Sequence, residues 1–409
     1  MKMHWKMAIA LVAGVMLGIA FGKWYEVWGF VANGIGQIFL RAIGMIVVPL
    51  VFLSTVLGIS NRDDSKSMGK MAIKTFAFFL GSSIVAAFLG IVVTDIVRPG
   101  IGVHSAEIAT EQVIDNAVEL NWMDKIIEIV PNNIFATFND GKILPIILFS
   151  LLFGFFVTKL SYNKRENINN LFEAFNDVIL GITNFVIGFA PFGVFAIIMN
   201  LVGKQANDIE MLKESMLNIM NFVRVVWIAL IIMGAVVLPF AVGLIARMSP
   251  IKHIKQIHKG LSLAFTTSSS YSAMPLLIKD TKEKVGVSNS VASFTIPLGI
   301  TFNKVGTIIY ECVAVIFIAQ SAGVDIDVAH QAILIGMSIV TVLGAPSVPM
   351  AGVVVLAILL KTMGLPNDLV GMLMAVDILC DMPKTLLNAY SVGCGAVIVA
   401  KSEGEALSI

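Results

Sequence analysis

The chain has 409 residues, of which 57% are hydrophobic and 13% charged, with a formal net charge of +1. A soluble domain carries roughly 25% charged residues, so the composition excludes one and points to an all-α polytopic membrane protein. The basic residues lie in short loops between apolar spans, which gives no support for a nucleic-acid partner. A span needs about 20 apolar residues. In chain order such stretches fall near 7–22, 31–59, 71–97, 143–160, 171–203, 218–246, 292–320 and 369–400, about eight in all. The first follows MKMHWK and resembles a signal peptide, but the many spans after it favour an uncleaved first helix. The segment 101–140 is mixed, with acidic residues and Pro131, and suits an exterior loop with short helical pieces. Basic residues cluster in RDDSKSMGK (62–70), KLSYNKR (159–165) and RMSPIKHIKQIHK (247–259). The positive-inside rule puts these loops and both termini in the cytoplasm. The three cysteines, Cys312, Cys380 and Cys394, sit in apolar runs without metal spacing, so they are expected to be reduced packing residues. The five histidines lie near loops. No metal and no cofactor is expected.

Two further apolar stretches do not behave as full spans. LSLAFTTSSSYSAMPLLI (261–278) is interrupted by the hydroxyl run Thr266 to Ser270 and by Pro275. AILIGMSIVTVLGAPSVPMAGVVVLAILL (332–360) is interrupted by GAPSVPMAG. Backbone that leaves the helix at membrane depth must be buried in protein or line a cavity. Each stretch therefore predicts a re-entrant hairpin with a polar tip, the alternative being a kinked spanning helix. Two interrupted segments in corresponding places, each followed by a span, point to a transporter binding site built from inverted repeats.

The last span carries a polar stripe. Asp377, Asp381, Lys384 and Asn388 fall on one helix face by their spacing, with Thr385 beside them. Pro383 leaves the Leu379 carbonyl without its helical partner and is expected to open the helix locally. The set suits a zwitterionic ligand: Asp381 for an amino group, Asn388 and Thr385 for a carboxylate, Lys384 for a second carboxylate. An internal ion-pair network that only joins helices is the alternative. ITFNKVGTIIYEC (300–312) places two more ionisable groups, Lys304 and Glu311, inside an apolar run. Such groups are costly in a membrane and usually mark a functional path.

TTSSSYSAMP, SFTIPLGITFNKVGT, GAPSVPMAG and DILCDMPKTLLN, with FLRAIGMIVVPLVF and FAPFGVF earlier, follow in the order found in the glutamate transporter homologues. The chain resembles this family of dicarboxylate/amino acid:cation symporters, related to the excitatory amino acid transporters, over nearly its whole length. The resemblance implies a homotrimer in the inner cell membrane and an elevator-type mechanism. Residues 1–70 would hold scaffold spans one and two, 71–100 span three of the transport domain, and 101–217 scaffold spans four and five with the exterior loop. Residues 218–409 would hold the transport core: span six, hairpin one, span seven, hairpin two and span eight. The substrate contacts it implies are Ser268, Ser269 and Ser270 in the first hairpin, Asn303, Gly306 and Thr307 in span seven, and Val348 and Gly352 in the second hairpin. Asp381, Lys384, Thr385 and Asn388 complete them in span eight. Lys384 stands where members that carry acidic amino acids have arginine, which keeps the charge but loses the two-pronged fork.

The chain departs from the family at the cation sites. The resemblance sets Val305 and Val392 where sodium-binding aspartates stand, while Ser82 and Ser83 match sodium-associated hydroxyls. Hydroxyls without carboxylates make a poor site for a hard cation. Lys304 would then act as a tethered ammonium near the place of sodium. Glu311 matches the glutamate that proton-coupled relatives are thought to protonate, and a carboxyl whose surroundings change can load and release a proton. A static Glu311–Lys304 ion pair is the alternative. The expected function is sodium-independent, proton-coupled transport of glutamate or aspartate. Its rival is a sodium-coupled or exchange-only carrier of neutral amino acids. An intramembrane aspartyl protease is rejected, since Asp377 and Asp381 share one helix and lack a Gly-x-Gly-Asp setting; no catalytic residue is expected. A channel fits two gating hairpins less well than a carrier does.

Overall fold

The computed structural model describes residues 3–60, 68–101, 127, 130–140, 143–206, 209–344, 351–366 and 370–407. Among the described residues the structure is helical, with no strand. Its helices are α1 (Met3–Ala20), α2 (Tyr25–Ser60), α3 (Met68–Val97), α4 (Ile134–Asp140), α5 (Ile143–Thr158), α6 (Tyr162–Gly188), α7 (Ala190–Gln205) and α8 (Ile209–Ile232). There follow α9 (Leu238–Ala241), α10 (Pro250–Thr267), α11 (Ser270–Asp280), α12 (Asn289–Phe302), α13 (Val305–Ser321), α14 (Val328–Gly344), α15 (Ala351–Thr362) and α16 (Val370–Ser402).

Among the described residues, three stretches are long and apolar enough to cross a bilayer unaided: Lys70–Val97, Met216–Ala246 and Asn289–Ser321. A fourth is the pair Ile9–Ala20 and Gly22–Phe39, bent by 71°. Two expected spans prove to be composite. The stretch near 171–203 is α6 and α7, which meet at Phe189 where Pro191 opens the second helix. The polar start of α6, YNKRENINN, extends the helix well before the apolar run, because an amphipathic face suffices where one side packs. The stretch near 292–320 is α12 and α13, separated by Asn303 and Lys304. Within 101–140, the short α4 agrees with the expected helical pieces, and residues 102–126 lie outside the described residues.

The helices pack in two groups. In one, α1 and α2 lie against α7, and α2 also against α5 and α6. Small residues allow the α1–α7 approach: a methyl group on Gly18 would come within 2.9 Å of Val202, and one on Gly14 within 3.0 Å of Ile198. Such close backbones are how helices associate where lipid removes the hydrophobic driving force. Phe52, Phe149, Phe153 and Phe172 tie α2, α5 and α6 by ring contacts at 5.5–6.1 Å. In the other group, α16 packs on α3, α8, α10, α12 and α13, and α13 lies against α3 and α15. The α13 helix is almost wholly buried, from Val305 to Ala319, except Thr307. The two groups meet where α16 touches α7 and α1, α8 touches α7, α14 touches α2 and α5, and α15 touches α2.

Hairpin one is a re-entrant pair and not a kinked span. The α10 helix ends at Ser268, whose φ of 49° turns the chain in the left-handed region, and α11 returns along it. The arms close tightly at Gly260, where a methyl group would stand 3.2 Å from Leu277. For the second hairpin, α14 and α15 pack on one another; the tip, residues 345–350, lies outside the described residues, and with it the expected site residue Val348. Outside the spans, Asp327 caps α14: its Oδ1 accepts the His330 backbone N–H at 2.8 Å, with the His330 ring at 2.6 Å. These contacts hold the Asp327 carboxyl below the usual carboxylate range.

Candidate functional site

The site forms where α16 crosses the α12–α13 break beneath the two hairpins. A break in a buried helix leaves backbone N–H groups at the start of α13 without partners, and the sequence answers with Asn388. Its Oδ1 accepts the Gly306 N–H at 2.8 Å, and its Nδ2 donates to Thr307 Oγ1 at 3.2 Å. Only glycine fits at 306, because a methyl group would lie 2.5 Å from the Lys384 carbonyl oxygen. The residue before the break is held as firmly. Asn303 Nδ2 donates to Ser391 Oγ at 2.8 Å, and Ser82 Oγ donates to Asn303 Oδ1 at 3.2 Å. One asparagine thus ties α3 and α16 to the broken span.

The polar stripe of α16 is an ion group. The Lys384 ammonium donates to Asp377 Oδ1 at 2.5 Å and stands 3.6 Å from Asp381 Oδ1. It lies 3.9 Å above the centre of the Tyr310 ring, a cation–π contact from α13. Asp377 and Lys384 are buried, whereas Asp381 keeps some exposure. A methyl group at Gly352 would be 3.4 Å from Lys384 Nζ and 3.7 Å from Thr307. This brings the start of α15 to the same point, and Ser268 of hairpin one approaches the Asp381 carboxylate. The structure therefore draws together Ser268, Thr307, Gly352, Asp381, Lys384 and Asn388. Ser269 instead caps its own helix, accepting the Ser272 N–H at 3.3 Å. Ser270 and Thr385 are buried, and no hydrogen bond joins them to the ion group among the described residues. Tyr310 was not foreseen, since nothing in its local sequence shows a ring facing a lysine of another helix.

Pro383 does not break α16, which runs unbroken from Val370 to Ser402. The carbonyl it deprives, that of Leu379, accepts the Trp227 indole N–H from α8 at 3.1 Å. The expected local opening is thus closed by a neighbour, another partner invisible to sequence spacing.

A model of the sodium:dicarboxylate symporter family matches residues 3–402. The chain belongs to this family. It is similar to the proton/sodium-glutamate symport protein of Bacillus caldotenax, at 32% identity over 408 residues that cover 98% of this chain and 94% of the relative. It resembles the proton/glutamate-aspartate symporter of Escherichia coli K12, at 32% identity over 417 residues, with 98% and 93% covered. The proton/sodium-glutamate symport protein of Bacillus subtilis 168 is 31% identical over 413 residues. The protein is therefore a multi-pass membrane symporter, whose task is carriage and not catalysis.

Within this symporter Lys304, Val305, Glu311 and Val392 are all buried. Val305 and Val392 are fully buried, and Val392 lies 2.9 Å from where a methyl group on Gly299 would sit. Lys304 is buried at the N-terminus of α13. Helix dipoles disfavour a cation at that end, so its presence there is not explained by helix stability. Glu311 is fully buried, and neither carboxylate oxygen accepts a hydrogen bond from Lys304 or any other described residue. A hydrogen-bonded Glu311–Lys304 pair is therefore not what holds this glutamate.

Proposed function

We propose that this symporter carries acidic amino acids, glutamate or aspartate, across the inner cell membrane with protons and without sodium. The observation that carries the reading is the buried Lys384 ammonium between Asp377 and Asp381, facing Gly352, which itself stands beside Thr307. Asp381, the more exposed carboxylate and the farther of the two from Lys384, would take an amino group, and Lys384 would exchange Asp377 for a ligand carboxylate. The N-terminus of α13 adds its partial positive charge beside them. The printed functions of the relatives, glutamate and glutamate-aspartate symport, support the same substrate class. Freedom from sodium is supported by two buried valines and a lysine near the α12–α13 break, and proton coupling by Glu311. The grouping of α1, α2 and α5–α7 apart from α3 and α8–α16 suits a scaffold and a moving transport domain. A homotrimer with an elevator motion and cytoplasmic termini completes the reading.

The test is substrate binding to the purified protein in choline buffer and in sodium buffer. The expected outcome is one dissociation constant in both. Lys304→Met, which leaves the site a positive charge short, should weaken binding in both buffers alike. An affinity for aspartate that climbs steeply with sodium overturns the proposal.

One observation favours a neutral substrate instead. Lys384 is already paired with Asp377 at 2.5 Å, and a neutral amino acid would leave that pair undisturbed. Competition by serine or alanine as strong as by unlabelled aspartate would decide for this second reading.

A further inference from the structure

The proline in α16 has a partner on another helix. Pro383 has no N–H to donate to the Leu379 carbonyl one turn earlier. A carbonyl left open in a membrane span is costly unless some other group donates to it. Trp227 of α8 does so, its Nε1–H reaching that oxygen at 3.1 Å. The two residues lie at the edge of the helix pair, 42% and 43% exposed, and Trp227 falls within the apolar stretch Met216–Ala246. The turn that Pro383 deprives of a hydrogen bond, 379–383, also lies within the ion group in sequence. Asp377 precedes it, Asp381 is inside it and Lys384 follows it directly. A change of bend at this turn alters the spacing of Lys384 from Asp377 and from Asp381, now 2.5 and 3.6 Å.

We propose that Trp227 is a positioning residue for substrate recognition. Its indole N–H fixes the turn of α16 before Pro383 and so sets where the Lys384 ammonium stands between Asp377 and a ligand carboxylate. Trp227 touches no ligand in this scheme; it acts through the Leu379 carbonyl. The inference rests on the acidic-substrate reading given above.

The experiment compares wild type, Trp227→Phe, Pro383→Ala and the double variant, all full-length in proteoliposomes. Phenylalanine keeps the ring and loses the donor, while alanine at 383 restores a backbone N–H to the Leu379 carbonyl. Losing one hydrogen bond should weaken aspartate binding about fivefold. Binding of the neutral analogue asparagine should change less than about twofold, so the ratio of the two affinities falls. In the Pro383→Ala background Trp227→Phe should have no further effect on that ratio. An equal loss with and without Pro383 overturns the proposal, as does an equal loss for aspartate and asparagine. A second readout needs no substrate. With Cys312→Ala and Cys394→Ala in place, the buried Cys380 within the 379–383 turn remains as the sole thiol. Its maleimide labelling should quicken in Trp227→Phe and return to the slow rate in the double variant. If wild type binds no acidic amino acid, the substrate reading fails while labelling still decides the role of Trp227; unchanged labelling in Trp227→Phe overturns it.

Discussion

Lys384 concentrates the recognition problem in one side chain. It is buried against Asp377, Asp381 and the Tyr310 ring, so its removal leaves two carboxylates without their cation. Breaking such a buried set by deleting one member is strongly destabilising, and stability has to be followed beside binding. Charge-assisted hydrogen bonds contribute about 1.5–3 kcal/mol. Lys384→Ala should therefore weaken aspartate at least about tenfold, and serine far less. Lys384→Arg keeps the charge and offers a fork that matches a carboxylate with two parallel bonds. That variant should hold or improve aspartate affinity, measured by calorimetry on the detergent-purified protein. If Lys384→Ala lowers aspartate and serine affinity equally, the lysine staples helices and does not read the ligand's second carboxylate.

At the scale of elements, the crossing of α13 on α16 holds the site in register. The backbones meet at Gly306, where an added methyl group would stand 2.5 Å from the Lys384 carbonyl oxygen and 2.9 Å from its Cα. Gly306→Ala must push the helices apart, which costs about 1–3 kcal/mol for an overpacked contact, and displaces the Asn388 cap of α13. The expected outcome is a lower melting temperature and weakened binding together. Gly336→Ala on α14, with nothing within 4 Å of the added methyl, is the control and should melt like wild type. Much of this architecture was legible beforehand. Apolar run length gave most spans, and the hydroxyl run Thr266 to Ser270 marked the turn of hairpin one. Heptad-like spacing put Asp377, Asp381 and Lys384 on one face. What spacing could not show was contact between helices distant in sequence: Tyr310 beneath Lys384, Trp227 on Leu379, and Asn303 joined to Ser391 and Ser82. The break at Phe189 was missed because hydropathy is continuous across it, although Pro191 was a local sign of a new helix start. The resemblance assigned Ser269 to the ligand; here its hydroxyl caps α11, accepting the Ser272 N–H at 3.3 Å, a role serine favours.

Across the whole molecule, coupling needs a group whose surroundings differ between states, and Glu311 fits that need. It lies on α13, which packs against α3, α8, α14, α15 and α16, so rearrangement of the second hairpin changes its environment. With Asp377, Asp381, Lys304 and Lys384 all ionised their charges cancel; an ionised Glu311 would then leave the buried site one negative charge in excess and a protonated one would leave it balanced. Neither Glu311 oxygen accepts a hydrogen bond among the described residues, so an ionised form lacks the partners a buried carboxylate needs. Proton and substrate are then linked: if the proton strengthens substrate binding, substrate strengthens proton binding by the same factor. A protonated, loaded site moving inward releases both on the cytoplasmic side, so an inside-alkaline gradient should accelerate net uptake and an inside-acid gradient should oppose it. Glu311→Gln holds the site in its balanced form permanently. It should bind aspartate and exchange internal for external substrate at close to the wild-type rate, because exchange never requires deprotonation. Net uptake and its acceleration by the pH gradient should be lost, since the empty site must release a proton to complete the cycle. Radiolabelled aspartate uptake in proteoliposomes, with and without an imposed gradient and with internal substrate present or absent, separates these outcomes. Wild-type pH-driven uptake by the glutamine variant would place coupling elsewhere and leave Glu311 a packing residue of α13.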